Sequence, residues 1–180
     1  RIHNCKDILK VHFLEVYKKD LMKILVIKYR NIGDVLLTSA LISNLNETYP
    51  NALIDFTVNK GTEEMLTLNP KINKIITYQR NYFKSLNIFK RLYKEIEFLW
   101  LIKKENYDIV INLTNGDRGN LIARLSKAPI RVGYLNKNWL LRNALSHELP
   151  KQNLRHTIEA NLDSLRILKI PVTSKKIKIY

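Results

Sequence analysis

The hydrophobic pattern of residues 23–41 predicts a strand, a tight turn and a helix in direct succession. Residues 24–27 form a short aliphatic run without polar alternation, which is typical of a strand buried on both faces in a parallel sheet. A polar turn at 29–31 follows. Apolar residues then recur at helical spacing, at Val35, Leu36, Ala40, Leu41 and Leu45. In an open α/β sheet such a turn lies at the carboxyl end of its strand, where ligands bind.

A second segment repeats this order farther along the chain. Residues 107–113 have the pattern of a buried strand, 114–119 that of a turn, and 121–125 that of a helix. The same periodicities predict strands at 52–58, Lys74–Tyr78 and Ile130–Tyr134 and helices at Ile88–Lys104 and 156–168. The alternation indicates an α/β fold, an open and mostly parallel sheet with helices on both faces, led by Lys23–Lys28 as a central strand. We expect the two turns to face one crevice.

The segment 79–104 combines a basic stretch with a long apolar helix. Residues 79–87 are polar, basic and aromatic, and we expect a loop there. The helix after it carries an apolar stripe that we assign to the core, not to a base-stacking surface: Phe89, Leu92, Tyr93, Ile96, Leu99 and Trp100. Residues 136–150 lack a regular pattern, and the alternation at 175–180 predicts the start of a strand.

Composition narrows the class of protein. The 180 residues, 46% of them hydrophobic, fit one folded domain with a real core. A net charge of +15 indicates an anionic partner. The single cysteine, Cys5, excludes an internal disulfide framework and fits a reducing compartment. Apolar runs are far shorter than the roughly 20 residues that cross a bilayer. We therefore expect a cytoplasmic protein whose membrane contact, if any, is peripheral.

The first 21 residues leave several interpretations open. Their mixture of apolar residues with lysines would suit a basic amphipathic helix on an anionic membrane. A helix packed on the body of the protein, or a remnant of an upstream reading frame, fits equally well. A chain that begins with Arg1 instead of Met is also expected to be a fragment.

Gly33 and Asp34 are the candidate functional residues of the first turn, and each has a structural alternative. Aspartate is a favoured N-cap residue, and glycine is common in turns that bind nothing. The turn also lacks the second and third glycines of the dinucleotide fingerprint. No Cys–His spacing predicts a zinc site, and no histidine near Ser39 or Ser43 supports a serine hydrolase.

The string KILVIKYR followed by NIGDVLLTSAL resembles the opening of the lipopolysaccharide heptosyltransferases. In that family a hydrophobic strand and a short polar turn precede Gly-Asp-Val/Met-Leu-x-Thr, and the resemblance here begins at Met22. Collinear matches continue in YPNALIDFTVN, LNPKINKII, ENYDIVINLTNGDRGN and RLSKAPIRVGY. The NLTNGDRG segment is most similar to the heptosyltransferase III branch, which adds a side-chain heptose.

The resemblance implies a fold and a reaction. The fold is the N-terminal, Rossmann-like domain of a two-domain GT-B glycosyltransferase. Residues 1–21 would be an extension, 22–170 the acceptor-side domain, and 171–180 the start of an absent nucleotide-sugar domain. The reaction is inverting transfer of heptose from ADP-heptose to the lipopolysaccharide inner core, with Asp34 as general base. ADP-heptose is a substrate here, and neither a cofactor nor a metal is implied.

The acceptor-binding residues that the resemblance implies are Arg30, Asn31, Gly33, Arg80, Thr114 and Arg118. The guanidinium fork of Arg118 suits anionic oxygens, but an Asp117–Arg118 pair would make the same segment structural, and both interpretations stay open. The implied partners are phosphorylated lipopolysaccharide core and, peripherally, the inner membrane of a Gram-negative bacterium.

Two alternatives to an enzyme remain. A non-catalytic acceptor-binding fragment is one of them. A nucleic-acid-binding module is the other, suggested by charge alone. The lysines are scattered and the known nucleic-acid-binding signatures are absent from the sequence, which argues against a nucleic-acid partner.

Overall fold

The computed structural model describes residues 21–135, 138–141, 143–150 and 156–179. The helix considered for the N-terminal segment falls on residues outside these ranges. The described strands are β1 (Lys23–Lys28), β2 (Leu53–Asn59), β3 (Lys74–Tyr78), β4 (Ile109–Asn112), β5 (Ile130–Tyr134) and β6 (His147–Leu149). The described helices are α1 (Ile32–Leu36), α2 (Ser39–Thr48), α3 (Glu64–Thr67), α4 (Arg80–Ser85), α5 (Ile88–Lys104), α6 (Asp117–Leu125) and α7 (Thr157–Ile167), with a 3₁₀ turn at Trp139–Leu141.

The six described strands form one parallel sheet in the order β3-β2-β1-β4-β5-β6. Strand β1 is central, since Ile24 pairs with Ile54 on β2 and with Ile109 on β4. Its aliphatic residues 24–27 are fully buried. The predicted central strand and the open, Rossmann-like α/β fold are confirmed.

Helices cover both faces of the sheet, as the alternation predicts. On one face α2 and α7 pack on a core that includes Val26, Phe56 and Ile111. On the other face α4, α5 and α6 pack on a second core that includes Leu25, Ile27 and Val110. Neighbouring residues of β1 thus enter opposite cores, and this is why the strand shows no polar alternation.

The chain changes direction between β1 and β4. From β1 it runs outward to β2 and β3, and it then returns to the other side of β1 to form β4, β5 and β6. The carboxyl ends of β1 and β4 are therefore adjacent at the point where the strand order reverses. In open α/β sheets this is where a crevice for ligands forms. The two turns identified from the sequence lie at these two ends.

The first predicted helix is divided in two. Helix α1 ends at Leu36, and α2 begins at Ser39. Between them both the hydroxyl and the amide of Thr38 donate to the carbonyl of Val35, at 2.5 and 3.0 Å. These bonds span three residues, which tightens the backbone and interrupts the α-helical ladder. The apolar spacing continues across the break and so does not reveal it.

Two segments expected to be irregular contain regular elements. The expected loop 79–87 holds helix α4, because Phe83 packs edge-on against Tyr78 with ring centroids 4.9 Å apart. In 136–150, the short strand β6 pairs with β5, with His147 opposite Val132. Both elements depend on contacts with neighbouring strands, which local sequence patterns do not report.

The strand expected at 175–180 is not formed over the residues described there. Residues 171–179 have neither helix nor strand structure and are bonded to α2. The amide of Thr173 donates to Asn44 Oδ1 at 2.6 Å, and the amide of Lys178 donates to Ser39 Oγ at 3.1 Å.

The inward face of α5 is not the one that the apolar stripe predicts. The helix has the predicted bounds, and Leu99 is partly buried. However, Phe89, Leu92, Tyr93, Ile96 and Trp100 are between 57% and 81% exposed. The buried residues of the helix are Phe98 and Ile102, on its opposite face. The helix carries apolar residues on two faces, and periodicity alone does not tell which of them packs on the sheet.

Candidate active site

The two turns at the switch point are bonded to each other. The backbone amide of Tyr29, just after β1, donates to Thr114 Oγ1 at 2.8 Å. The amide of Thr114 donates to Asn112 Oδ1 at 3.0 Å, which fixes the start of the second turn. Thr114, predicted to bind the acceptor, therefore joins the two turns and also lines the cavity between them.

Asp34 lies in the first turn of α1. Asn31, with extended backbone, occupies the N-cap position, and its carbonyl accepts from the amide of Val35 at 3.1 Å. The alternative that Asp34 is the N-cap is therefore wrong. Among the described residues, none donates a hydrogen bond to the Asp34 carboxylate or forms an ion pair with it. The side chain is partly exposed, so its oxygens are accessible to a ligand.

Lys28, which the sequence reasoning missed, is buried at the end of β1 with 1% exposure. Its ammonium group donates to Asn161 Oδ1 at 3.1 Å and to the carbonyl of Leu113 at 3.4 Å. Burial lowers the pKa of Lys28 to about 8, against the opposing effect of the nearby Asp34 charge. The feature of the sequence that could have identified Lys28 is its position as a lysine at the end of an otherwise aliphatic strand.

A cavity of about 300 Å³ opens beside the second turn. Four of its lining residues are cationic: Arg80, Lys84, Arg91 and Arg118. Arg80, Thr114 and Arg118, all predicted to bind the acceptor, are brought together here. Arg91 was missed because it lies within the predicted helix α5. The cluster gives the cavity a positive field suited to an anionic ligand.

Arg118 is held by two partners that the sequence did not indicate. Its guanidinium donates to both carboxylate oxygens of Glu95, at 2.8 and 3.0 Å, and lies 3.9 Å from the centre of the Tyr78 ring. The carboxylate that pairs with Arg118 in the described contacts is thus Glu95, a partner that neither interpretation of the sequence named. A guanidinium has five N–H donors, so donors remain for a ligand in the cavity.

Glu95 and Tyr78 complete this cluster. The Tyr78 hydroxyl donates to Glu95 Oε1 at 2.6 Å. Burial tends to raise the pKa of Glu95, but the hydrogen bonds from Arg118 and Tyr78 outweigh it and hold that pKa below its ordinary value. Glu95 is therefore ionised at neutral pH and keeps Arg118 in a fixed position at the cavity wall.

Glycine is required where α6 approaches β4. A Cβ atom on Gly119 would lie 2.2 to 2.5 Å from the side-chain amide of Asn112. That amide donates to Asn120 Oδ1 at 2.8 Å and sits directly under the helix. The helix begins after Gly116, whose φ of 120° favours glycine. Together these glycines allow α6 to start close to the end of β4 and the cavity.

The remaining predicted residues do not line this cavity. Arg30, Asn31 and Gly33 are exposed in the turn and first helical residues after β1, beside Asp34. A Cβ atom on Gly33 would meet nothing within 4 Å. The space beside Gly33 is therefore open to a ligand. The site therefore has two parts. One is the segment after β1 that carries Asp34, and the other is the cationic cavity after β4. The hydrogen bond between Tyr29 and Thr114 joins them.

Curated proteins similar to this chain are heptosyltransferases. Lipopolysaccharide heptosyltransferase 3 of Escherichia coli K12 is 30% identical over 141 residues, which are 77% of this chain and 40% of that protein. A second E. coli lipopolysaccharide heptosyltransferase 3 is 28% identical over the same length. No family model matches the sequence. The chain is related to the lipopolysaccharide heptosyltransferases.

The predicted resemblance to the heptosyltransferase III branch is confirmed by these relatives. The chain spans 40% of the length of the curated heptosyltransferases that it matches. Its described residues include both turns from which the resemblance was inferred.

Solved structures of glycosyltransferases share the fold. The glycosyl transferase family 9 protein of Veillonella parvula DSM 2008 aligns with a TM-score of 0.70 at 22% identity, over 88% of this chain and 44% of that one. E. coli heptosyltransferase WaaC with ADP-2-deoxy-2-fluoro heptose aligns with a TM-score of 0.73 at 16% identity, over 87% and 51%. At this identity the likeness shows the fold alone.

Two further features of the described residues bear on the sequence predictions. No three His, Cys, Asp or Glu side chains of the described part come together as a metal site, and the expected independence from metals and cofactors stays a prediction. None of the helices in the described ranges has the length and apolar character needed to cross a membrane.

Proposed function

We propose that this chain is the acceptor-side part of an enzyme that transfers heptose from ADP-heptose to the phosphorylated inner core of lipopolysaccharide. The observation that carries the proposal is the position of Asp34. It follows β1 at the switch point of the sheet, and Tyr29 in the turn before it is bonded to Thr114, which lines a cavity with four cationic side chains. The 30% identity to lipopolysaccharide heptosyltransferase 3 supports the choice of donor and acceptor.

The proposed reaction is an inverting single displacement. The acceptor hydroxyl attacks the anomeric carbon of the heptose, a new C–O bond forms, and the bond to the diphosphate breaks. The hydroxyl proton passes to Asp34, and ADP leaves with the bonding electron pair. The absence of a described hydrogen-bond donor at the Asp34 carboxylate supports this role, since the oxygens can accept from the acceptor hydroxyl.

The cationic cavity is proposed to hold the phosphate groups of the core. Arg118 suits this task because Glu95 and Tyr78 fix its position before a ligand arrives. Arg80 contributes charge from α4, and Thr114 contributes a hydroxyl. Arg30, Asn31 and Gly33 are proposed to contact the acceptor sugar next to Asp34, where the space beside Gly33 is open.

The donor is proposed to bind mainly to a second, nucleotide-sugar domain entered at 171–180. In this division residues 1–21 are an extension and 22–170 form the acceptor domain. The enzyme would act at the cytoplasmic face of the inner membrane, where ADP-heptose and nascent core meet. The cationic lining of the cavity supports the assignment of the acceptor to the described domain.

A transfer assay with two chains tests the proposal. One is the chain of 180 residues. The other is the longest chain that the same reading frame encodes. Each is given ADP-heptose and heptose-deficient, phosphorylated core, and both ADP release and core mass are followed. Addition of one heptose by the longer chain is expected. If that chain releases no ADP and adds no heptose to any core acceptor, the enzymatic proposal fails. Core binding without transfer would then favour an acceptor-binding fragment.

A further inference from the structure

The outward face of α5 is an apolar stripe that the described fold leaves uncovered. Phe89, Tyr93, Ile96 and Trp100 follow each other at spacings of four, three and four residues, which places them on one line along the helix. Leu92 lies beside them. We call these five residues the α5 stripe; each is more than half exposed, from 57% for Ile96 to 81% for Phe89.

The helix cannot turn this stripe inward without losing its own packing. Its opposite face buries Phe98 and Ile102 in the core under the sheet. The same face carries Glu95, which is bonded to Arg118 and Tyr78. Single exposed apolar residues are common on proteins, but a continuous row that includes three aromatic rings marks a surface for binding.

Cationic side chains border the stripe. Lys94 and Lys104 lie 5.8 and 5.4 Å from the ring centres of Tyr93 and Trp100. Lys90 and Lys103 add further positive charge along the helix. The acidic residues of α5 are Glu95, bonded to Arg118, and Glu97, paired with Lys94 at 2.7 Å. An apolar aromatic row between lysines is the pattern of a helix that lies in the interface of an anionic membrane.

We propose that the α5 stripe is a docking surface for an anionic lipid bilayer. The aromatic and aliphatic side chains enter the headgroup region, and the bordering lysines contact lipid phosphates. Charge decides between possible occupants. A second copy of this chain would bring two lysine-bordered stripes and two net charges of +15 together. The chain's own residues 1–20 also carry more basic than acidic side chains. A negatively charged surface complements both features.

The stripe begins beside the cationic cavity. Phe89 and Tyr93, with Tyr82 and Leu86, line a groove of about 340 Å³. Helix α4 contributes to both places, since Tyr82 lines this groove while Phe83 and Lys84 line the cavity that holds Arg118. A bilayer at the stripe would therefore lie next to the cavity, at a place where a membrane-anchored phosphorylated ligand could enter it. The docking itself does not depend on heptosyl transfer.

Tryptophan fluorescence tests the contact at a single residue. The chain has two tryptophans, Trp100 and Trp139, so Trp139→Phe leaves Trp100 as the reporter. We expect its emission to shift to the blue with phosphatidylglycerol-containing vesicles, and brominated lipids to quench it. Vesicles of phosphatidylcholine alone should give a much smaller effect, and added salt should weaken binding to the anionic ones.

Co-sedimentation with matched variants tests the surface. Leu92→Glu is expected to lower the partition coefficient on phosphatidylglycerol vesicles by about tenfold or more, because an apolar contact is lost and a like charge is added. Leu68→Glu is the control, since Leu68 is 72% exposed at the end of α3, outside the stripe. It should bind as the unchanged chain does. Lys103→Gln with Lys104→Gln should reduce binding about fivefold for each charge.

Three outcomes would overturn the proposal. One is equal vesicle binding by the Leu92→Glu and unchanged chains. Another is a Trp100 emission that is already blue-shifted and shielded from acrylamide without lipid, because residues 1–20 or a partner would then cover the stripe. The third is a dimer in lipid-free buffer that Leu92→Glu dissociates. The vesicles contain no lipopolysaccharide, so a failure here leaves the proposed transferase function untested and intact.

Discussion

The ammonium group of Lys28 lies 3.1 Å from Oδ1 of Asn161, and this bond joins the end of β1 to α7 across the interior. The two residues are 133 positions apart in the chain. The Asn161 amide in turn donates to the carbonyl of Leu37 at 3.3 Å, just after α1. The helix that carries Asp34 is thus tied to α7 at its end, and the buried lysine holds β1 to the same helix.

Replacement of Lys28 is expected to change how stability depends on pH. The folded chain has a Lys28 pKa of about 8, below the ordinary value of 10.5. Between these values the unfolded chain binds the proton more tightly, so a rise in pH stabilises the fold through Lys28. The unfolding free energy of the unchanged chain minus that of Lys28→Met should rise by about 2 kcal/mol from neutral pH to about pH 9.5.

Urea denaturation at a series of pH values measures this difference. The absolute effect of Lys28→Met at one pH is not decisive, because the substitution also leaves Asn161 and the Leu113 carbonyl without their donor. Only the slope of the difference reports the titration. A difference that stays constant over this pH range would show that Lys28 has no lowered pKa in the folded chain.

The ion pair of Glu95 with Arg118 gives a second prediction. Glu95→Gln keeps the size of the side chain but removes the charge that holds the guanidinium. We expect a loss of about 1 to 2 kcal/mol in unfolding free energy, moderated because Arg118 is partly exposed. Glu97→Gln on the same helix is the control, since it breaks only the exposed pair with Lys94. Its effect should be clearly smaller than that of Glu95→Gln, because both partners are exposed to solvent.

Thermal or urea unfolding of Glu95→Gln and Glu97→Gln measures the two changes in unfolding free energy. Phosphorylated core should also bind more weakly to Glu95→Gln, because Arg118 would no longer be held at the cavity wall. Equal stability losses for Glu95→Gln and Glu97→Gln would mean that the bidentate pair adds nothing beyond an ordinary surface contact.

Substitution by alanine at two glycines is expected to change the unfolding free energy in opposite directions. Gly119→Ala places a methyl group within 2.5 Å of the Asn112 side chain and should lower the unfolding free energy by about 1 to 3 kcal/mol. Gly33 lies inside α1 with open space around its Cβ position. Gly33→Ala should therefore stabilise the fold by about 0.4 to 1 kcal/mol. Calorimetric melting of the two variants tests the contrast, and a stabilising Gly119→Ala would show that α6 is not closely packed on β4.

Local patterns predict much of the fold. The bounds of β1, β3, β5 and α5 follow from periodicities within each segment, and the switch point follows from the order of strands and helices. The site is predicted less completely. Glu95 and Arg118 are 23 positions apart and meet only because α5 and α6 lie side by side. Lys28 and Asn161 are still farther apart.

The wrong sequence predictions for the inward face of α5 and for the N-cap of α1 have a common physical origin. The inward face of α5 is chosen by its contacts with the sheet and with Arg118, and neither contact leaves a periodic signal in the helix itself. The position of Asp34 within α1, instead of at its N-cap, depends on the extended backbone of Asn31. In both cases the sequence identifies the relevant residues, but backbone geometry and distant partners decide where their side chains point.

Asp34→Asn in the proposed transferase tests the proposed role of the carboxylate. The amide keeps the size of the side chain but cannot accept the proton of the acceptor hydroxyl. We expect kcat to fall by about 10² to 10⁴, with little change in KM for either substrate. Because Asp34 lies in the first turn of α1, loss of its charge should also lower the unfolding free energy by about 0.3 to 1 kcal/mol.

Glu64→Gln separates the catalytic loss from this loss of stability. Glu64 is an exposed carboxylate in the first turn of α3, so its replacement removes a similar interaction with a helix terminus. The stability change should match that of Asp34→Asn, while kcat should stay at the value of the unchanged enzyme. Turnover of heptose by Asp34→Asn within a few-fold of the unchanged rate, measured as ADP release with saturating substrates, would exclude Asp34 as the base.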